Sequence, residues 1–211
     1  MQTKPVREGL AHKRAAILTA ARELFVLNGV ERTSMDAVAA EAAVSKRTVY
    51  DYYGDKRRLL LGVIEAAGQS VLILLERAIH DHISDDADIR DTVDLERALT
   101  GFALQVGESV LTSSDYAATV KLIMENGPLL PELEDHPLAR APEDALAERL
   151  AHFADLGLLE LTDARLAADH FNGLTTLIAS HARFPVRAGS DSIRQSMIDG
   201  THAFMRAYGR R

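Results

Sequence analysis

Apolar residues recur at spacings of three and four along nearly the whole chain, and alternating strand-like patterns are almost absent. This spacing places side chains on one face of a helix. The first such stripe contains Ile17, Ala21, Leu24 and Phe25 and ends at Asn28-Gly29, a typical helix stop. Glycine, proline and acidic stretches divide the rest into similar segments. With 47% apolar residues among 211, the chain is predicted to be all-α, with about nine helices around a substantial core.

The helices near the N-terminus are predicted to be short. Thr33 is placed as an N-cap, with Asp36 at capping-box distance, and Ser45 is placed to cap a third helix through Tyr52. Gly54-Asp55 then breaks the chain and caps a long fourth helix. The expected domains are therefore a three-helix head, residues 1–55, and a helical body, residues 56–211.

Charge is distributed unevenly between these two parts. The chain carries a net charge of −7, yet residues 1–60 hold 11 Lys and Arg against 7 Asp and Glu, a balance of +4 that leaves −11 for the remainder. A basic head on an acidic body keeps nucleic acid open as a partner. The absence of cysteine excludes a disulfide framework, a thiolate zinc site and a cysteine nucleophile.

Several other classes of protein are not expected. The sequence has no glycine-rich phosphate loop after a strand, so we predict no enzyme and no cofactor. His80 and His82 stand beside aspartates, a pattern that usually marks a solvated acidic turn, so no metal site is predicted. The N-terminus has no apolar run typical of a signal sequence. No stretch of the sequence is expected to be long and uncharged enough to span a membrane. These features favour a cytoplasmic protein with no membrane partner.

The most informative segment is VSKRTVYDYYGDKRRLL, residues 44–60. It could be a hydrophobic docking face, an enzyme site that pairs Tyr52 with Lys56 or Tyr50 with Lys46, or a nucleic-acid contact. The spacing turns Val49 and Tyr53 inward and leaves the polar side chains, including Tyr52, outside. Two short helices separated by a tight turn have the layout of a helix-turn-helix, whose second helix enters the major groove.

A further set of residues in the segment 14–60 has a characteristic order and spacing: Arg14, Ile17-Leu18, Ala20-Ala21, Leu24-Phe25, Gly29, Thr33-Ser34, Val38-Ala39, Val44-Ser45, Thr48, Tyr50 and residues 56–60. With these elements the segment resembles the DNA-binding head of the TetR family of bacterial transcriptional repressors. Two departures are notable. Ala43 stands where the family usually has glycine in the turn, and we expect a turn geometry that alanine tolerates. Tyr53 replaces the commoner phenylalanine and needs a partner for its hydroxyl.

The resemblance implies a double-stranded DNA operator as partner. Arg47 is the best candidate for reading a base, and Asp51 could accept from cytosine N4 or simply pair with Arg47 four residues away. His12, Lys13 and Arg14 could form an arm near the DNA backbone, with a solvated tail as the favoured alternative for His12. The implied DNA contacts are Ser34, Ser45, Lys46, Arg47, Thr48, Tyr50, Asp51, Tyr52 and Lys56.

For the body, the resemblance implies an unknown small-molecule effector and a homodimer formed by the last two helices, about residues 163–181 and 191–208. The apolar stripe of the last helix fits a dimer interface as well as it fits intrachain core. The alternative is an all-α small-molecule-binding or scaffold protein whose head does not contact DNA; burial of residues 46–52 would favour it. Plausible pocket-lining residues, each also a candidate for core, are Phe102, Gln105, Met124, Phe153, Phe171 and Asn172.

Overall fold

The computed structural model describes residues 4–133, 136–177 and 190–210, and these residues contain nine α-helices and no strand. The prediction of an all-α protein with about nine helices is confirmed. Residues 178–181 of the predicted penultimate helix lie outside the described residues. The helices are α1 Lys4–Asn28, α2 Met35–Glu41, α3 Lys46–Tyr53, α4 Lys56–His82, α5 Thr92–Leu111, α6 Ser114–Asn126, α7 Pro137–Asp155, α8 Ala164–Asn172 and α9 Ser190–Tyr208.

Shorter elements also occur in the described part of the chain. Two 3₁₀ turns, Gly127–Leu129 and Pro131–Leu133, follow α6, and a π-helical turn, Gly173–Leu177, extends α8. Leu159 and Gly209 form an isolated antiparallel bridge.

The contacts divide the chain into two compact units. The head unit consists of Met1–Gln69 and Ser114–His136, and the body unit of Ser70–Ser113 and Pro137–Arg211. The predicted boundary after residue 55 marks the start of α4, whereas the head unit extends further. It does so because Leu59 and Leu60 of α4 and Leu122 of α6 are buried in the same core as α1 and α2.

The body unit has its own core, and most of the apolar stripe of α9 lies within it. Met197 and Phe204 are buried, and α9 packs mainly against α5 and the π turn. Phe171 lies 5.2 Å from Phe204 in an edge-to-face arrangement, and Phe102 lies 6.0 Å from Phe171, measured between ring centroids. Of the two possibilities left open for this stripe, the structure supports intrachain core.

Local side-chain caps define the ends of the head helices. Ser45 caps α3 as predicted, since its Oγ accepts the Thr48 N–H at 3.1 Å. Asp55 caps α4 by accepting the Arg58 N–H at 2.8 Å. The N-cap predicted at Thr33 is wrong. Ser34 caps α2 instead, whereas the buried Thr33 hydroxyl donates to carbonyls of the preceding segment.

The turn between α2 and α3 holds Ala43 in the left-handed region, with φ of +51°. The Val44 N–H donates to the Ala39 carbonyl at 3.0 Å, and the Ala43 N–H to the Ala40 carbonyl at 3.2 Å. These two bonds form a Schellman motif, whose C′ position is usually glycine. The expectation of a geometry that alanine tolerates is therefore wrong, because the motif itself imposes a positive φ.

Replacing Ala43 with glycine is expected to raise the free energy of unfolding by about 0.5–1 kcal/mol, because relief of the left-handed strain exceeds the added entropy of the unfolded chain. Gly157, at φ +77°, occupies the same position in the motif that ends α7. Gly157→Ala should therefore destabilise by about 1 kcal/mol. Chemical denaturation of both variants measures the difference, and an Ala43→Gly protein less stable than wild type would contradict the strain.

Helix α4 is, among the described residues, the one helix whose length and composition would allow it to cross a membrane. This corrects the expectation that no stretch is long enough, since Glu65 is the only charged residue between Arg58 and Glu76. Part of its apolar surface packs into the two cores, including Leu59 in the head unit and Leu75 in the body unit. A buried core helix passes the same test, so the absence of a membrane partner stays a prediction.

Candidate nucleic-acid interface

Helix α3 is held by one buried side and presents its N-terminal turn outward. Val49 is completely buried and Tyr53 nearly so. At the N-terminus, the Ser45 and Thr48 hydroxyls lie 2.7 Å apart, and Ser45 also receives the Thr48 N–H. This packing fixes which side chains of the helix can reach a partner.

The basic residues of α3 are exposed, as an interface with DNA requires. The Arg47 side chain is 89% exposed, and its Nε lies 3.6 Å from Asp51 Oδ2. The Lys46 side chain is 67% exposed and pairs with Asp36 of α2. The sequence predicts that Asp51 either pairs with Arg47 or accepts a hydrogen bond from cytosine N4. The structure contains the pair with Arg47, and the Asp51 side chain is also exposed enough to reach a base.

The two tyrosines predicted to face outward differ in the structure. Tyr50 is 49% exposed. Tyr52 is half-buried, with its hydroxyl donating to the Leu10 carbonyl at 3.3 Å. The prediction that Tyr52 faces fully outward is wrong, because its ring packs against the head core towards α1. Together with Leu10, Lys13, Thr48 and Asp51, Tyr52 lines an open groove beside α3.

Lys56 and Ser34, the predicted DNA contacts at the starts of α4 and α2, both lie at the loop between α1 and α2. Lys56 Nζ donates to the Glu31 carbonyl at 2.8 Å, in the loop that leads to Ser34. Ser34 is exposed and caps α2 by accepting the Ala37 N–H at 3.1 Å. An ammonium group has three donors, so Lys56 retains donors for a phosphate. The enzyme-like pair of Tyr52 with Lys56 does not form, since each side chain bonds a different backbone carbonyl.

The hydroxyl of Tyr53 is expected to need a partner, and Arg14 is the group beside it. The geometry of this contact falls outside that of a normal hydrogen bond, so the buried hydroxyl oxygen is left without one among the described residues. Burial raises the pKa of Tyr53 above its ordinary value, while the nearby Arg14 guanidinium acts in the opposite direction. Tyr53 therefore stays a neutral, structural residue of the head core and does not belong to the interface.

The predicted pocket residues do not all come together. Phe102, Phe153 and Phe171 are buried in the body core, and the partly buried Asn172 follows Phe171. Met124 is 80% exposed and belongs to the head unit, so its placement with the others is wrong. It lies on the solvent side of α6, because the inward position of that helix is taken by Leu122.

Gln105 belongs to a polar chain within the body unit. Its Oε1 lies 2.7 Å from His82 Nε2, and its Nε2 donates to Asp81 Oδ2 at 3.0 Å. This hydrogen bond is the main reason why the pKa of Asp81 lies below its ordinary value. Because the amide Nε2 donates to Asp81, Oε1 is left to accept from His82, so His82 carries a proton on Nε2.

Sequence reasoning missed the contacts that hold residues 114–133 against α1 and α4 within the head unit. Arg57 donates to Glu132 through two bonds of 2.6 and 2.7 Å and to the Leu129 carbonyl at 2.8 Å. Arg22 pairs with Asp115 at 2.5 Å. These partners are far apart in the chain, and no local pattern connects them.

Two family profiles match the chain. One, for bacterial regulatory proteins of the tetR family, matches residues 17–63, which contain α2 and α3. The other, for the C-terminal domain of AefR-like transcriptional repressors, matches residues 97–210. Together with the helix-turn-helix geometry, these matches define the class as a DNA-binding regulator of transcription.

Individual proteins agree with this class. The HTH-type transcriptional activator FasR of Mycolicibacterium smegmatis is 25% identical over 197 residues, which are 91% of this chain and 80% of FasR. A TetR-family protein from Mesorhizobium loti superposes with a TM-score of 0.79 at 24% identity, covering 95% and 98% of the two chains. The flavonoid-responsive regulator FrrA superposes with a TM-score of 0.68 at 25% identity, covering 95% and 99%.

The chain belongs to the TetR family of bacterial transcriptional regulators. Regulation of transcription is a non-enzymatic role, in agreement with the prediction that the chain is not an enzyme. The alternative of a scaffold protein whose head does not contact DNA would be favoured by burial of residues 46–52. Lys46, Arg47 and Tyr50 are exposed, so the structure does not favour that alternative.

Proposed function

We propose that this protein is a homodimeric repressor that is released from a palindromic operator by a small molecule. The observation that carries the DNA-binding part is the capped, half-buried helix α3 with exposed Lys46 and Arg47 at its N-terminal end. The N-terminal side chains of a recognition helix reach base edges in the major groove. In this proposal the protein acts in the cytoplasm, needs no cofactor and has no membrane partner.

The interface residues have distinct roles in this proposal. Arg47 donates to guanine O6 and N7, the commonest specific contact of arginine in the major groove. Lys46, Tyr50 and Lys56 donate to phosphates and fix the register of the head. Ser34, Ser45 and Thr48 lie at helix N-termini, where free N–H groups and hydroxyls favour phosphate oxygens.

The proposed dimer brings two such heads to one operator. Two recognition helices about 34–36 Å apart can read successive major-groove faces of a palindrome. The inward face of α9 is used within the protomer, so the dimer is formed by the outward faces of the last two helices. These faces include Leu166 on α8 and Gln195, Asp199 and His202 on α9.

The proposed effector binds between helices of the body unit, next to the aromatic residues of its core. The flavonoid-responsive relative FrrA supports a small organic molecule as the class of effector. The AefR-like repressor profile supports repression, although FasR is named an activator. Helix α4 has residues in both units and carries Lys56 at its start, so a shift of α4 would change the separation of the two recognition helices.

The expected result is that a small molecule that stabilises the protein also releases it from DNA. Compounds are first screened by thermal shift, because a ligand that binds the folded state raises the melting temperature. Positive compounds are then added to the complex with the DNA that flanks the gene of this protein. Loss of a gel shift at ligand concentrations that saturate the thermal shift supports the proposal. A ligand that stabilises the protein and leaves the complex intact would contradict release.

A further inference from the structure

Two carboxylates occupy the surface that faces DNA in the proposed function. Asp36, in the first turn of α2, pairs with Lys46, the first residue of α3. Asp51 lies one turn after Arg47, with Oδ2 3.6 Å from Arg47 Nε. The two basic residues of the recognition helix therefore each have an acidic partner on the same exposed surface.

These pairs contribute little to folding. All four side chains are at least half exposed, and exposed pairs gain little because water screens them and ordered long side chains lose entropy. The helices they join are already held by the buried Val38, Val49 and Tyr53 and by the caps. Carboxylates repel phosphates, so the presence of Asp36 and Asp51 on this surface is not explained by folding stability.

DNA of any sequence competes with these carboxylates for the same cations. Non-specific binding comes almost entirely from phosphate contacts of Lys and Arg. A phosphate that takes Lys46 leaves Asp36 uncompensated and near a negative charge. At the operator Asp51 recovers this cost, because Arg47 gains guanine and Asp51 can accept from cytosine N4. At other sequences Asp51 has no such partner. Lys46 meets a phosphate on operator and non-operator DNA alike, so Asp36 lowers both affinities by a similar factor.

We propose that Asp36 and Asp51 each lower the affinity for non-operator DNA, and that Asp51, which gains a partner only at the operator, thereby raises the discrimination of the operator. The inference rests on the proposed DNA-binding function and goes beyond it by assigning a specificity role to Asp51 and a general lowering of DNA affinity to Asp36. Discrimination is a difference of two affinities, and a cost imposed on the wrong partner increases it as effectively as a gain on the right one.

The test measures binding of the full chain to two duplexes by fluorescence anisotropy at several salt concentrations. One duplex is selected by the wild-type protein from a random pool, and the other is a scrambled duplex of equal composition. The variants are Asp36→Asn and Asp51→Asn. Glu125→Gln is the control, because Glu125 forms an exposed i,i+4 pair with Lys121 on α6, a helix of the same unit that is not part of the helix-turn-helix.

Both asparagine variants are expected to bind the scrambled duplex about 3–10-fold more tightly at low salt, with a steeper salt dependence, because one more cation is free for phosphate. For Asp51→Asn the ratio of operator affinity to scrambled affinity falls by at least the same factor, whereas for Asp36→Asn both affinities rise and the ratio changes less than about twofold. Glu125→Gln changes both affinities less than about twofold. Thermal melts of the variants close to that of wild type show that the fold is kept.

Asparagine variants that bind the scrambled duplex no more tightly than Glu125→Gln would overturn the inference while leaving the proposed function intact. A wild-type protein that binds neither duplex at any salt concentration would overturn the proposed function itself, and the inference with it.

Discussion

Arg47→Glu is expected to weaken operator binding about 100-fold, because the variant loses a bidentate base contact and places a negative charge beside phosphates. The fold should be unaffected. The Arg47 side chain is 89% exposed and its only described charged partner is Asp51. A like-charge pair at this spacing on a helix costs only about 0.2–0.5 kcal/mol. Anisotropy titrations with the selected duplex measure the loss, and thermal melts measure the stability.

Arg77→Glu is the matched control for this prediction. Arg77 forms an exposed i,i+4 pair with Asp81 on α4, with Nε 3.8 Å from Oδ2, and it belongs to the body unit. The control makes the same change in net charge, so its operator affinity should stay within about threefold of wild type. Arg47→Lys should fall between the two, since lysine keeps the charge and loses the bidentate geometry. Operator affinity of Arg47→Glu equal to that of Arg77→Glu would contradict a reading role for Arg47.

Gly200→Ala is expected to lower the free energy of unfolding by about 3 kcal/mol, the largest effect on stability that we predict. A Cβ atom at Gly200 would lie 2.1 Å from the carbonyl oxygen and 2.7 Å from the carbonyl carbon of Leu174, in the π turn after α8. Backbone atoms have no rotamer through which to move away, so α9 and the π turn must separate. For a chain of this size the melting temperature should fall on the order of 10 °C.

Gly107→Ala provides a control on the neighbouring helix. A Cβ atom there would lie 2.1 Å from Met197 Cε, the far end of a flexible side chain. Methionine has three rotatable bonds and adapts to small changes in volume, so the loss should stay below about 1.5 kcal/mol. Urea unfolding followed by far-UV circular dichroism compares the two variants. Equal stability of Gly200→Ala and Gly107→Ala would show that the close approach of α9 to the π turn does not hold the body unit.

Local signals in the sequence predicted much of the head. The caps at Ser45 and Asp55 and the inward positions of Val49 and Tyr53 follow from residues within one helical turn, and the structure has all four. The misplaced cap at Thr33 came from two adjacent hydroxyl residues, of which packing buries the first and leaves Ser34 free to cap.

Features that depend on distant partners could not be predicted in this way. The Tyr52 hydroxyl donates to the carbonyl of Leu10, which lies 42 residues earlier in the chain. Arg57 donates to Glu132, which lies 75 residues later. The same limit explains Met124, whose exposure is decided by the docking of α6 on the head core. Ala43 is a different case, because its local sequence argues against a positive φ and the hydrogen bonds of the motif impose one.

The most direct test of the proposed function is a footprint of the full wild-type chain on the DNA that flanks its own gene. We predict two protected half-sites related by a palindrome, with centres about one helical turn apart or a multiple of it. Protection should weaken steeply with salt, since several phosphates are neutralised in each half-site. A single unpaired footprint, or protection that is independent of sequence at every salt concentration, would contradict a dimeric, operator-specific regulator.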